Sequence, residues 1–139
     1  MTAAGAPASF PTRWIALSVL FDVIAVIVFV TIGRINHEEG FSFGGFWGTL
    51  WPFLAGWAVA ALVSIALTAS GRVGWSLQRL FPAGILCWVS TIAIGMLLRW
   101  ADGQGIAASF VIVATLATGV LLLGWRLLAA QVGRGQVSR

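Results

Sequence analysis

Residues 14–33 read WIALSVLFDVIAVIVFVTIG, and this stretch decides the fold class. A helix rises 1.5 Å per residue, so about 20 such residues cross a hydrocarbon core of roughly 30 Å. The run is longer than a signal-peptide core of about 7–15 residues, and no small-x-small cleavage site follows it. It is read as a retained membrane span. Its one charged residue is Asp22.

Three further apolar runs follow, at about residues 47–68, 81–98 and 106–125. The stretches between them, 34–45, 69–80 and 99–105, are short and polar or glycine-rich, as turns outside a bilayer are. Composition agrees with this division. Of 139 residues, 60% are hydrophobic and 9% charged, with a mean hydropathy of +0.99. Soluble domains are about 45–50% apolar and about a quarter charged, so a water-soluble globule, a disordered chain and a disulfide scaffold are excluded. The expectation is an all-α integral membrane bundle of four transmembrane helices forming one domain, with short frayed tails at 1–12 and 129–139. Re-entrant pairs would need protein-lined surroundings that so small a chain hardly supplies.

Basic residues orient the bundle. All eight are arginine, against four acids, for a formal charge of +4. With four spans, the N-terminus, the second connection and the C-terminus share a side that carries Arg13, Arg72, Arg79, Arg126, Arg134 and Arg139. The other side has Arg34 and Arg99, together with Glu38, Glu39 and Asp102. Short-loop arginines collect in the cytoplasm, so both termini are expected there. Trp14, Trp47, Trp75, Trp100 and Trp125 fall near the expected interfaces. A pI of about 11.5 would suggest nucleic acid in a soluble chain. Here the arginines flank apolar runs, and no nucleic-acid partner is expected.

Lipid tails are as apolar as leucine, so spans associate through close packing and polar contacts. Small residues recur at spacings of four, among them Gly56 and Ala60 in the second span and Cys87 and Gly95 in the third. They mark helix-packing stripes. Pro52 is expected to kink or loosen the second span.

Asp22 is the most informative position. It lies eight residues past Trp14, about 12 Å into the bilayer. A charge there costs at least about 2.5–3.5 kcal/mol on insertion scales, so the side chain should face the bundle and be protonated, paired or hydrated. Depth arithmetic brings Ser64, Thr91, Thr115 and Thr118 to a similar level, and Ser18 lies one turn away on the face of Asp22. The sequence shows no lysine, and no arginine at that depth, to serve as counter-ion. Two readings stay open: a proton or cation site, or a polar contact that joins helices.

A second polar cluster lies beyond the spans, where Arg34 and His37 follow the first and Arg99 and Asp102 the third. Its arginines are expected to pair with the nearby carboxylates, to bind an anionic headgroup, or to snorkel. His37 is the only histidine, and a zinc site takes three or four ligands. No metal or other cofactor is expected. The sequence contains no phosphate-cradling glycine loop, no CxxC, and no Ser-His-Asp set in sensible positions.

FDVIAVIVFVTIGRINHEEG (21–40), WPFLAGW (51–57), the run from Gly95 to Arg99 and the closing Gly124-Trp125-Arg126 together resemble a family of small four-span membrane proteins common in actinobacteria. That family is catalogued as domain of unknown function number 3054. The resemblance covers residues 14–128 and implies four spans in a bacterial inner membrane; it brings no activity. The chain is read as a non-catalytic accessory or assembly subunit of a larger bacterial membrane complex, with the bilayer and other membrane subunits or its own copies as partners. The alternative is a homo-oligomeric small transporter or channel in which Asp22 takes a proton or cation. An enzyme is not expected.

Overall fold

The computed structural model describes residues 12–36 and 42–137. Four helices carry nearly all of them: α1 (Thr12–Asn36), α2 (Phe43–Ala69), α3 (Ile85–Ala101) and α4 (Ala108–Val137). Among the described residues there is no strand. All four helices are long and apolar enough to cross a membrane, with α3 extended at its start by an irregular turn over Leu80–Gly84. The chain therefore has the build of a multi-pass membrane protein.

Sequence chemistry explains where the helices start and stop. Ser42 caps α2, its hydroxyl accepting from the Gly45 N–H at 3.2 Å. α2 ends at a turn in which Gly71 adopts φ +87°, a conformation glycine takes without a Cβ penalty. Gly103 and Gly105, both at φ +70°, make the α3–α4 turn. α2 runs unbroken through Pro52, which is itself buried. The last helix overruns its expected end. Residues 129–137 continue α4: Leu127, Leu128, Ala129 and Ala130 are good helix formers that carry it on, and Gly133 and Gly135 lie inside the helix without ending it. Residues 1–11 of the other expected tail lie outside the described residues.

The helices are packed in the cyclic order α1, α2, α3, α4, with α4 closing against α1. Neighbours run antiparallel, so α1 begins and α4 ends at one end of the bundle, here called the termini end. The connection 70–79 lies at that end and tucks inward: Ser76 and Leu77 are buried. The α2–α3 interface is the closest. Gly56 makes it so, because a Cβ there would lie 2.6 Å from the Ser90 carbonyl oxygen; Ser90 Oγ in turn donates to the Gly56 carbonyl at 2.7 Å. Gly95 lies against the Phe53 ring in the same way, and Ala60 and Cys87 are buried together beside Trp57. Between α3 and α4, Gly119 seats the Trp88 indole, which donates to the Thr115 carbonyl at 3.0 Å. One core cluster spans all four helices around Val26, Phe53, Met96 and Leu122.

Candidate functional site

Asp22 projects from α1 into the bundle and is fully buried. It meets Arg126 of α4, equally buried, in a two-pronged contact: Nη1 donates to Oδ1 at 2.6 Å and Nη2 to Oδ2 at 2.7 Å. Two indoles complete the carboxylate's shell. Trp125 Nε1 donates to Oδ1 at 2.8 Å, and Trp57 Nε1 from α2 donates to Oδ2 at 2.9 Å. A carboxylate offers about four acceptor positions, and all are used.

Arg126 is equally saturated. Its remaining N–H groups reach backbone carbonyls: Nη1 to Leu122 at 2.6 Å, Nη2 to Leu77 at 3.0 Å and Nε to Leu77 at 3.2 Å. All five guanidinium donors thus have acceptors. The Leu77 carbonyl is available because the 70–79 connection folds into the end of the bundle instead of lying on its surface. Gly84 supplies the room, since a Cβ there would lie 2.7 Å from Arg126 Cδ. The Trp125 ring stacks on Phe21 with centroids 5.4 Å apart, and the guanidinium carbon lies 4.5 Å from its centroid. One site therefore ties together α1, α2, α4 and the connection before α3.

This corrects the expectation that no arginine reaches the depth of Asp22. Counting Cα positions puts Arg126 at the membrane boundary, yet side chains lean toward the N-terminus of their own helix. In antiparallel α1 and α4 that leaning carries Arg126 inward and Asp22 outward, so the two meet between their backbone levels. The continuation of α4 to Val137 also sets Arg126 about 16 Å from the helix end at 1.5 Å per residue.

The family described as "Protein of unknown function (DUF3054)" matches residues 19–129. The chain belongs to this family. The matched stretch contains Asp22, Trp57, Leu77, Trp125 and Arg126, and leaves Ser18 just outside. No curated protein and no solved structure matches the chain.

In this DUF3054 chain the hydroxyls at the level of Asp22 do not join it. Ser18, Thr91, Thr115 and Thr118 each donate to the carbonyl four residues earlier in their own helix, at 2.6–2.8 Å. That bond satisfies a hydroxyl without a neighbour. Ser64 is buried and its Oγ has no hydrogen-bond partner. What surrounds Asp22 is instead guanidinium and indole. Sequence reasoning treated Trp125 as an interfacial anchor and Trp57 as part of a family pattern, and passed over the Leu77 carbonyl.

At the opposite end, Arg34 and Arg99 line one cavity of about 400 Å³ bounded by α1, α2, α4 and the α3–α4 turn. Arg34 Nη1 lies 3.4 Å from Thr49 Oγ1. Arg99 Nη1 donates to Gln104 Oε1 at 2.7 Å and its guanidinium carbon sits 4.6 Å from the Phe110 ring centroid. The Gln104 amide then donates to Asp102 Oδ2 at 3.2 Å and to the Gly48 carbonyl at 3.0 Å, fastening the turn to α2. His37, Glu38 and Glu39 lie outside the described residues. Among the described residues, no three His, Cys, Asp or Glu side chains are grouped to hold a metal.

Proposed function

We propose that this protein is a non-catalytic membrane subunit that acts by assembly within a larger bacterial membrane complex, with both termini in the cytoplasm. The observation supporting this reading is the closure of the Asp22 site. Four donors fill the carboxylate, and five hydrogen bonds to four acceptor atoms use every N–H of the Arg126 guanidinium. A cation would have to displace a guanidinium and two indoles to gain a ligand, and a proton relay would have to break the same contacts. A buried pair of this kind holds helices in one arrangement, and losing one partner strands a charge.

The surface left over suits association. Ile112, Val113, Leu116 and Val120 form an exposed apolar face on α4, and Leu20, Phe21 and Ile24 one on α1. The stripe residues Gly56, Ala60, Cys87 and Gly95 are used inside the bundle, so docking falls to these larger side chains. Pairing takes Arg126 and Asp22 out of the charge tally. Arg13, Arg72, Arg79, Arg134 and Arg139 still outweigh Arg34 and Arg99, which favours cytoplasmic termini.

Affinity purification of a tagged chain from its native membrane in mild detergent, with mass spectrometry and native sizing, tests the proposal. Stoichiometric partner subunits are expected. A monodisperse homo-oligomer with no crosslinked partner would overturn it, as would proton or cation flux in liposomes that Asp22→Asn abolishes.

A further inference from the structure

A cleft of about 930 Å³ opens at the termini end between α1, residues 78–81 and α4. Its volume lies in the upper part of the range of ligand sites, about 300–1,000 Å³. The cleft is graded along its length. Trp14, Gln78 and Arg79 stand toward the bundle end, whereas the stacked pair of Phe21 and Trp125 lies deeper, with Phe21 about 10 Å along α1 from Trp14. Its side is open, for Phe81 is 74% exposed and Phe21 47%. In a bilayer that opening faces lipid.

Charge defines what fits, and it is one-sided. Arg79 lines the cleft and Arg13 and Arg72 lie at the same end, while Asp22, the one acid in that half of α1, is already consumed by Arg126. The occupant should therefore be anionic at its head and apolar below it.

We propose that this cleft is a binding site for one anionic phospholipid, its phosphate at Arg79 and an acyl chain along Phe21 and Trp125. The site stands whether or not the chain is a subunit of a complex. Arg126 closes the inner wall but offers the lipid no donor, since all five are taken.

The test is native mass spectrometry of the delipidated full chain titrated with phosphatidylglycerol and, separately, phosphatidylcholine of the same acyl chains. One tightly held phosphatidylglycerol per chain is expected, favoured over phosphatidylcholine by about fivefold or more, the scale of one arginine acting on an anionic lipid. Arg79→Gln is expected to bring that preference below about twofold, and Arg72→Gln, outside the cleft, to leave it intact. Ala130→Trp, which fills the cleft without altering charge, is expected to remove the bound lipid while the thermal unfolding temperature stays near that of the native chain, and it serves if Arg79→Gln fails to fold. Equal retention of the two lipids, an unchanged preference in Arg79→Gln, or full retention in Ala130→Trp would overturn the proposal.

Discussion

Removing one member of the buried pair should cost far more than removing both. Arg126→Met leaves the Asp22 carboxylate with two indole donors and no counter-ion in a fully buried site. Stranding a buried charge costs about 3–5 kcal/mol. Asp22→Leu strands the guanidinium instead, with only the Leu77 and Leu122 carbonyls as acceptors, and falls in the same range of about 3–5 kcal/mol. In the double variant no charge remains. Two indole N–H groups lose their acceptor, but Trp125 borders the open cleft and can turn, so the loss is about 1–3 kcal/mol. The coupling between the positions is then at least about 3 kcal/mol, more than a hundredfold in the folding equilibrium, against about 0.5 kcal/mol for independent sites. Reversible unfolding of the four proteins in bicelles, followed by tryptophan fluorescence, measures it. Additive costs would refute the inference that this pair acts as a unit.

Other outcomes follow from the same contacts. Trp57→Phe and Trp125→Phe each delete one interhelical hydrogen bond and should each destabilise by about 0.6–1.7 kcal/mol in the same unfolding assay. Gly56→Ala puts a methyl 2.6 Å from the Ser90 carbonyl oxygen, and the resulting separation of α2 from α3 should cost about 1–3 kcal/mol. Gly48→Ala, with open space around it in the same helix, should be neutral or stabilising by up to about 1 kcal/mol. Gly84→Ala crowds Arg126 Cδ and the Arg79 carbonyl, so the Asp22–Arg126 coupling should shrink in its background.

The spans are legible because a run of about 20 apolar residues has few other uses in so short a chain. Their ends are less so. α4 outlasts its expected end because residues 127–132 are still mostly apolar and good helix formers past Arg126, and Gly133 and Gly135 fall inside the helix without the positive φ of Gly71 or Gly103. Asp22 is legible as the one charge far from a span end. Its partner is not, because linear depth assigns each residue the height of its Cα, whereas an arginine reaches several ångströms from its own backbone. The direction of side-chain lean, read together with antiparallel topology, is the signal that would have brought Arg126 to Asp22. Trp57 and Trp125 are hidden by the double character of indole, which serves equally at a headgroup boundary or as a buried donor. The Leu77 carbonyl is hidden because backbone groups leave no trace in composition. The hydroxyls of Thr91 and Thr118 have the right depth, but each is satisfied within its own helix and leaves nothing to share.

The central claim is that the carboxylate within the membrane is filled by the protein's own donors. Dipolar recoupling NMR on the chain in lipid bilayers, with guanidinium nitrogens and aspartate carboxyl carbons labelled, tests it most directly. With Asp102 held by Gln104 at the other end, the account predicts strong nitrogen–carbon dephasing at hydrogen-bonding range that disappears in Arg126→Met and in Asp22→Asn. Dephasing that is absent in the native chain, or that persists in both variants, would contradict it.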